Sequence, residues 1–287
     1  PYVGASAFAH KAGYHVAGMM KDDRAYQHTS PALVGNTSRV LVSELSGQRN
    51  LLMKLAELRI DYPFTQDEIK KLLETVKQRE SEGYQYEGAE ASFELLVRRA
   101  MPAYKAPFEL EDFVIVERRR HSTDRQQLNE MLAEVIVKLR VAGELHHTAA
   151  EGNGPVNALD AAVRKALTVP YPALANVKLV DYKVRILDGD AATAARTRVI
   201  IDSMDGARTW STMGSDTNII AASASALADS LEYAIWKSGA ELRRRDERHF
   251  TTTPAPATPT APAPTAPATP TPAAPTRPAP TTPATTR

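Results

Sequence analysis

Between residues 133 and 141 apolar and polar positions alternate: Ala133, Val135, Val137, Leu139 and Val141 are separated by Glu134, Ile136, Lys138 and Arg140. A period of two sends successive side chains to opposite faces of an extended chain, so this segment predicts a strand with one buried face. Val180, Tyr182, Val184 and Ile186 repeat the pattern, as do Ala195, Thr197, Val199 and Ile201. Residues 108–117, 144–148 and 207–212 read as further strands, and residues 155–167 and 219–236 as helices. Upstream the period is 3.6. Thr65-Gln66-Asp67-Glu68 is a capping box, followed by Ile69, Leu72, Leu73 and Val76 on one helical face. Ala89, Phe93, Leu96, Val97 and Ala100 mark another helix, ended by Pro102, and Leu51, Leu52, Leu55 and Leu58 an earlier one.

The predicted class is therefore α+β. Residues 1–60 form a subdomain of loops and short helices, and residues 61–104 a helical linker. Residues 105–240 carry the order strand-strand-strand-helix twice, as a duplicated regulatory and dimerisation domain, and 241–287 form a tail. The stretch 149–167 aligns with 213–231 at an offset of 64, with little identity but matching element order. Each copy places a glycine-bearing segment before its helix: Gly152-Asn153-Gly154-Pro155 in the first and Gly214-Ser215-Asp216 in the second. Glycine lets backbone approach a ligand, and free N–H groups at a helix start favour an anion. A carboxylate there, with an ammonium on Asp216, describes a free amino acid. An ordinary turn and cap is the competing reading of each loop taken singly.

Composition removes other classes. Lys and Arg number 35 against 34 Asp and Glu, a balance that draws the chain to neither nucleic acid nor anionic lipid. Arg118-Arg119-Arg120-His121 and Arg243-Arg244-Arg245 read as solvated element ends. There is no Cys, which excludes disulfides and thiolate metal sites. No apolar run nears the roughly 20 residues that span a bilayer, and no signal-peptide pattern opens the chain, so a cytoplasmic protein is expected. From residue 251 onward only Pro, Ala and Thr occur apart from Arg277 and Arg287, a composition that predicts disorder. A start at Pro1 suits a fragment or processed chain.

The first 50 residues contain PYVGASAFAHKAGYHVAGM, AYQHTSPALVGN and SRVLVSELSGQRN. Together these resemble the region after the catalytic barrel in the 2-isopropylmalate synthase and citramalate synthase family, which also includes the homocitrate synthases. EGYQYEGAEASFELLVRR at 82–99 looks most like the citramalate branch. EGNGPVNALDAAVRKAL and LVDYKVRILDG are similar to the family's C-terminal regulatory domain. The resemblance covers residues 1–237 and implies a homodimeric enzyme performing a Claisen-type condensation of acetyl-CoA with a 2-oxo acid, here pyruvate. It also implies feedback by isoleucine, or by leucine in the isopropylmalate branch, whose 2-oxo acid is 2-oxoisovalerate. The family's Asp-Arg-Glu and H-x-H barrel motifs are absent, and the His146-His147 pair has the wrong spacing. A divalent cation (Mn, Mg or Zn) is thus expected on a barrel outside this chain, which alone should be inactive.

By motif, the resemblance makes His15 and Tyr26 the groups that reach a partner subunit's active site. His15 would move a proton and Tyr26 would hydrogen-bond a developing alkoxide. Without the resemblance, His15 reads as a structural or surface histidine. His10 is read as orienting the loop, and Ser43-Glu44 and Ser46-Gly47 as turn and packing residues. The matching effector positions are Gly154, Val156, Asn157, Leu179, Tyr182 and Ile186, to which the repeat adds Asp216. Leu179, Tyr182 and Ile186 read equally well as core residues of a strand. A non-catalytic amino-acid-binding module is the alternative of another class.

Overall fold

A computed structural model describes residues 2–4, 6–10, 13–19, 21–41, 47–119 and 131–239. The Pro/Ala/Thr tail, Arg243-Arg244-Arg245, and Ser43, Glu44 and Ser46 lie outside the described residues. In chain order the elements are β1 (Ala9–His10), α1 (Gly13–Met19), β2 (Arg39–Val40), α2 (Gln48–Glu57), α3 (Gln66–Ser81) and α4 (Glu90–Arg99). There follow β3 (Phe108–Arg119), β4 (Met131–Val141), β5 (Glu144–Gly152), α5 (Pro155–Leu167), β6 (Lys178–Ile186), β7 (Thr197–Met204), β8 (Thr209–Asp216) and α6 (Ile219–Ser238).

The capping box forms as the sequence predicts. The Glu68 N–H donates to Thr65 Oγ1, and Thr65 N–H donates to Glu68 Oε2 at 2.8 Å, satisfying donors that a helix start leaves free. The apolar stripe of α3 packs with Leu51 and Leu55 of α2 and Phe93 and Val97 of α4. This core takes in Met213, with Ile200 packed against it. The helical part therefore covers the outer face of the β6–β7–β8 sheet. Arg198 seals the contact, donating to the Gly83 carbonyl and to Gln85 Oε1, both at 2.6 Å.

The strands form two antiparallel three-stranded sheets, ordered β3-β4-β5 and β6-β7-β8, each followed by a helix. Equivalent contacts recur in both halves. Thr148 Oγ1 donates to the Ala162 carbonyl at 2.6 Å, and Thr212 Oγ1 to the Ala226 carbonyl at 2.7 Å, each pair 14 residues apart. The first strand of each sheet carries a register shift, at Leu110/Asp112 and at Leu179/Asp181. Val135, Val137, Leu139, Leu159 and Leu167 from one half share a single core with Val199, Ile201, Leu227 and Leu231 from the other.

Two expectations change. The matching loop Gly214-Ser215-Asp216 is not a loop: β8 runs through Asp216, with Gly214 opposite Val199 and Ser215 opposite Arg198. The strand continues because Gly214 lets α6 come close, since a Cβ there would strike the Ala222 carbonyl. Gly152 likewise ends β5, where a Cβ would meet Ala158 N at 2.6 Å. These two glycines serve strand–helix packing. Secondly, the inward side of β6 is not core. Leu179, Val184 and Ile186 are 38, 43 and 61 % exposed, because β6 is an edge strand that α6 does not cover.

Candidate functional sites

The chain brings His15 and Tyr26 together. The His15 ring lies 4.3 Å from those of both Tyr14 and Tyr26, centroid to centroid. His15 sits on α1 and Tyr26 ends the one-turn helix Asp23–Tyr26, which Asp22 caps through the Arg24 N–H at 3.0 Å. Gly18 makes the contact possible: a Cβ there would lie 2.6 Å from Tyr26 Cε2. His10 stands nearby on β1. Its Nε2 is 3.2 Å from Gln27 Nε2, which in turn donates to Ser38 Oγ at 2.6 Å. Burial lowers the His10 pKa, and the neighbouring His15 lowers it further. A neutral His10 can accept from Gln27, the residue beside Tyr26.

The positions matched to an effector pocket fall into three groups. Gly154 caps the start of α5 in extended conformation, with Val156 and Asn157 in the first turn. Asn157 Oδ1 accepts from the Asn153 N–H at 3.2 Å. Leu179, Tyr182 and Ile186 share the side of β6 that pairs toward buried Ile201 and Val199. Tyr182 is half-buried, and its hydroxyl lies 2.6 Å from Ser223 Oγ on α6. Asp216 turns back on its own chain, accepting from the Asn218 N–H at 2.7 Å. Asn218 Oδ1 then caps α6 by accepting from Ile220 N–H at 2.8 Å. The carboxylate chosen for an ammonium thus already has a local partner.

Among the described residues no group of three or more His, Asp or Glu side chains could hold a metal ion. His146 and His147 are consecutive in β5, opposite Leu139 and Lys138, so they point to opposite faces. No helix among the described residues is long and apolar enough to cross a membrane.

Sequence reasoning missed a charged network on α4. Glu90, in its first turn, binds Arg39 of β2 and accepts from Lys54 Nζ of α2 at 2.8 Å. Two turns on, Arg99 pairs with Asp229 and Glu232 of α6, both at 2.7 Å, and Ser92 Oγ donates to Asp229 Oδ2 at 2.7 Å. Glu94 is held by Arg98, Lys237 and the Tyr233 hydroxyl. The signal was present: Asp229 and Glu232 are acids within the otherwise apolar α6, an arrangement that calls for buried partners.

Two β-β-β-α halves on one core, with an apolar edge strand left uncovered, define an α+β module of two antiparallel three-stranded sheets. Residues 87–235 match the LeuA allosteric (dimerisation) domain, and residues 2–83 match the homocitrate synthase post-HMGL domain-like family. The chain belongs to the LeuA allosteric domain family. It is 47% identical to an (R)-citramalate synthase of Geobacter sulfurreducens over 83% of this chain and 44% of that protein. An (R)-citramalate synthase of Aquifex aeolicus is 44% identical over 84% of this chain and 45% of its own length. The 2-isopropylmalate synthase of the same organism is 31% identical over 86% of this chain and 44% of its own length. The chain thus spans less than half the length of these curated relatives and corresponds to their C-terminal portion.

Proposed function

We propose that this chain is the C-terminal part of a citramalate synthase, which condenses acetyl-CoA with pyruvate and water to give (R)-citramalate and CoA. The observation that carries the reading is the contrast in similarity, 47% and 44% to two citramalate synthases against 31% to a 2-isopropylmalate synthase. In this reading residues 1–60 supply His15 and Tyr26 to the active site of a partner subunit in a homodimer. The contacting rings keep the imidazole and the phenol side by side. His15 then passes a proton during condensation or thioester hydrolysis, and the Tyr26 hydroxyl hydrogen-bonds the oxygen on which charge develops. The metal ligands would lie in the remainder of the enzyme.

Residues 105–240 would bind the controlling branched-chain amino acid, isoleucine for a citramalate enzyme. The uncovered side of β6 supports this, because Leu179 and Ile186 offer apolar surface beside the anchored Tyr182 hydroxyl. Gly154, Val156 and Asn157 at the start of α5 would receive the carboxylate on free N–H groups. One methylene separates isoleucine from its competitors by only about 1–3 kcal/mol, so the effector follows from the enzyme assignment rather than from pocket shape. The full-length enzyme should release CoA from acetyl-CoA much faster with pyruvate than with 2-oxoisovalerate. The reverse preference would replace the reading with 2-isopropylmalate synthesis, and no release with either would favour a non-catalytic sensor.

A further inference from the structure

Helix α4 is fastened by charge at both ends. Its first turn presents Glu90, which binds Arg39 of β2 and accepts from the buried Lys54 Nζ of α2. In its last turn Arg99 grips Glu232 of α6 with two prongs, Nε to Oε1 at 3.1 Å and Nη2 to Oε2 at 2.7 Å. The same Nη2 donates to Asp229 at 2.7 Å. Ser92, also buried, ties α4 to two elements at once. Its Oγ donates to Asp229 of α6 at 2.7 Å and accepts from the Met213 N–H of β8 at 3.0 Å. The Glu90 tie thus faces residues 1–60, and the others face the second β-β-β-α half.

A buried ion pair adds little net stability over apolar residues of like volume, but a forked guanidinium–carboxylate contact fixes one geometry where apolar side chains would slide. Beyond each end of α4 lies one of the two sites described above. On one side, α6 carries Ser223 as well as Asp229 and Glu232, and the Ser223 Oγ is 2.6 Å from the Tyr182 hydroxyl. On the other, Arg39 pairs with Ala9 of β1, and the Leu41 N–H donates to the His10 carbonyl at 2.9 Å. Ser38, the residue before Arg39, accepts from Gln27, which adjoins Tyr26. The ten residues of α4 span about 15 Å between these attachments.

We propose, resting on the reading of Tyr26 and of the β6 positions given above, that α4 is the strut that couples the amino-acid site to the loop holding Tyr26. Binding beside Tyr182 shifts α6, Arg99 carries α4 with it, and Glu90 passes the displacement to Arg39. Helix shifts of about 1–2 Å are ordinary in such transitions. A shift of that size takes the 2.8 Å contact between Lys54 and Glu90 beyond hydrogen-bonding range unless α2 and β2 follow. Either β2 moves with α4 or the cluster opens, and each outcome alters the footing of Gln27 through Ser38. The element therefore has two discrete arrangements, which is what coupling between distant sites requires.

The test is made in the full-length enzyme, following CoA release from acetyl-CoA and pyruvate as isoleucine is added, with isoleucine affinity measured separately by calorimetry. Glu90→Gln keeps an acceptor for Arg39 and Lys54 but removes the charge. It should leave isoleucine affinity and uninhibited turnover close to wild type. Residual turnover at saturating isoleucine should rise about fivefold or more, the low end of ordinary coupling factors. Ser92→Ala removes the hydroxyl shared by β8 and α6, leaves every charge in place, and should act in the same direction. It decides the question if Glu90→Gln does not fold. Thr65→Ala, which costs stability away from these contacts, should retain full inhibition and so separates coupling from general loosening. Full inhibition in folded Glu90→Gln (or in Ser92→Ala in its place), loss of isoleucine binding in step with loss of inhibition, or an equal loss of inhibition in Thr65→Ala would each overturn the proposal. A wild-type enzyme that isoleucine does not inhibit would overturn the effector assignment together with it, whereas full inhibition of both wild type and variant removes the role of α4 alone.

Discussion

Replacing Gly214 by Ala adds one methyl group to β8 at the point where α6 crosses it. That methyl would collide with the Ala222 carbonyl and stand 3.0 Å from Ser225 Cβ. The obstacle is helix backbone, so no rotamer change relieves it. Either β8 retreats, losing its pairing with Val199 and the Thr212 bond to Ala226, or α6 lifts off a core containing Leu227 and Leu231. Overpacking of this kind costs about 1–3 kcal/mol, and an unyielding backbone puts Gly214 at the upper end. For a domain of this size that is a fall in Tm of roughly 6–12 °C. Gly154 is the control. Nothing lies within 4 Å of a Cβ built there, and its backbone is extended, so Gly154→Ala should cost less than about 1 kcal/mol. Urea denaturation of both variants is the assay. Equal stability of Gly214→Ala and wild type would refute the packing role of this glycine and return it to a ligand loop.

Thr65→Ala removes the hydroxyl that caps α3 and should lower stability by about 1 kcal/mol in the same assay, while Thr65→Ser should retain most of it. For Glu90, burial acts to raise the carboxyl, but the hydrogen bonds and charges of Lys54 and Arg39 outweigh it and hold the group below the ordinary value of 4.5. A depressed acid contributes stability that is complete above that ordinary value and is lost as pH falls through the lowered one. The urea midpoint should therefore drop on acidification below about pH 4.5, and Glu90→Gln should flatten that part of the profile. An unchanged slope in Glu90→Gln would remove the Arg39–Glu90–Lys54 cluster as an acid-sensitive tie. In the full-length enzyme, His15→Ala should lower turnover far more than acetyl-CoA binding. Unchanged turnover would leave His15 a structural residue.

Alternation and helical spacing were enough to place α3, its cap, and α5 from Pro155 to Leu167, because those signals are local. The second half was harder. Gly214 reads as a loop former in isolation, and its reason for being glycine, the nearness of Ala222, exists only once α6 has packed. Val184 and Ile186 read as core by their period, but an edge position leaves them exposed, and strand order is not written in periodicity. His15 and Tyr26 could be paired only through resemblance, since 11 positions and a turn separate them along the chain. Asp229 and Glu232 stand out as acids in an apolar stretch, but their partner Arg99 is identified only once α4 and α6 meet.

The claim on which the account turns is that the β-β-β-α pair senses a branched-chain amino acid. Calorimetric titration of the whole chain with L-isoleucine and L-leucine tests it directly. Saturable binding of isoleucine in the micromolar range is predicted, weakened in Asn157→Ala and in Tyr182→Phe and unaffected in Asp229→Asn. Absence of heat with either amino acid, from a chain shown to be folded, would contradict it.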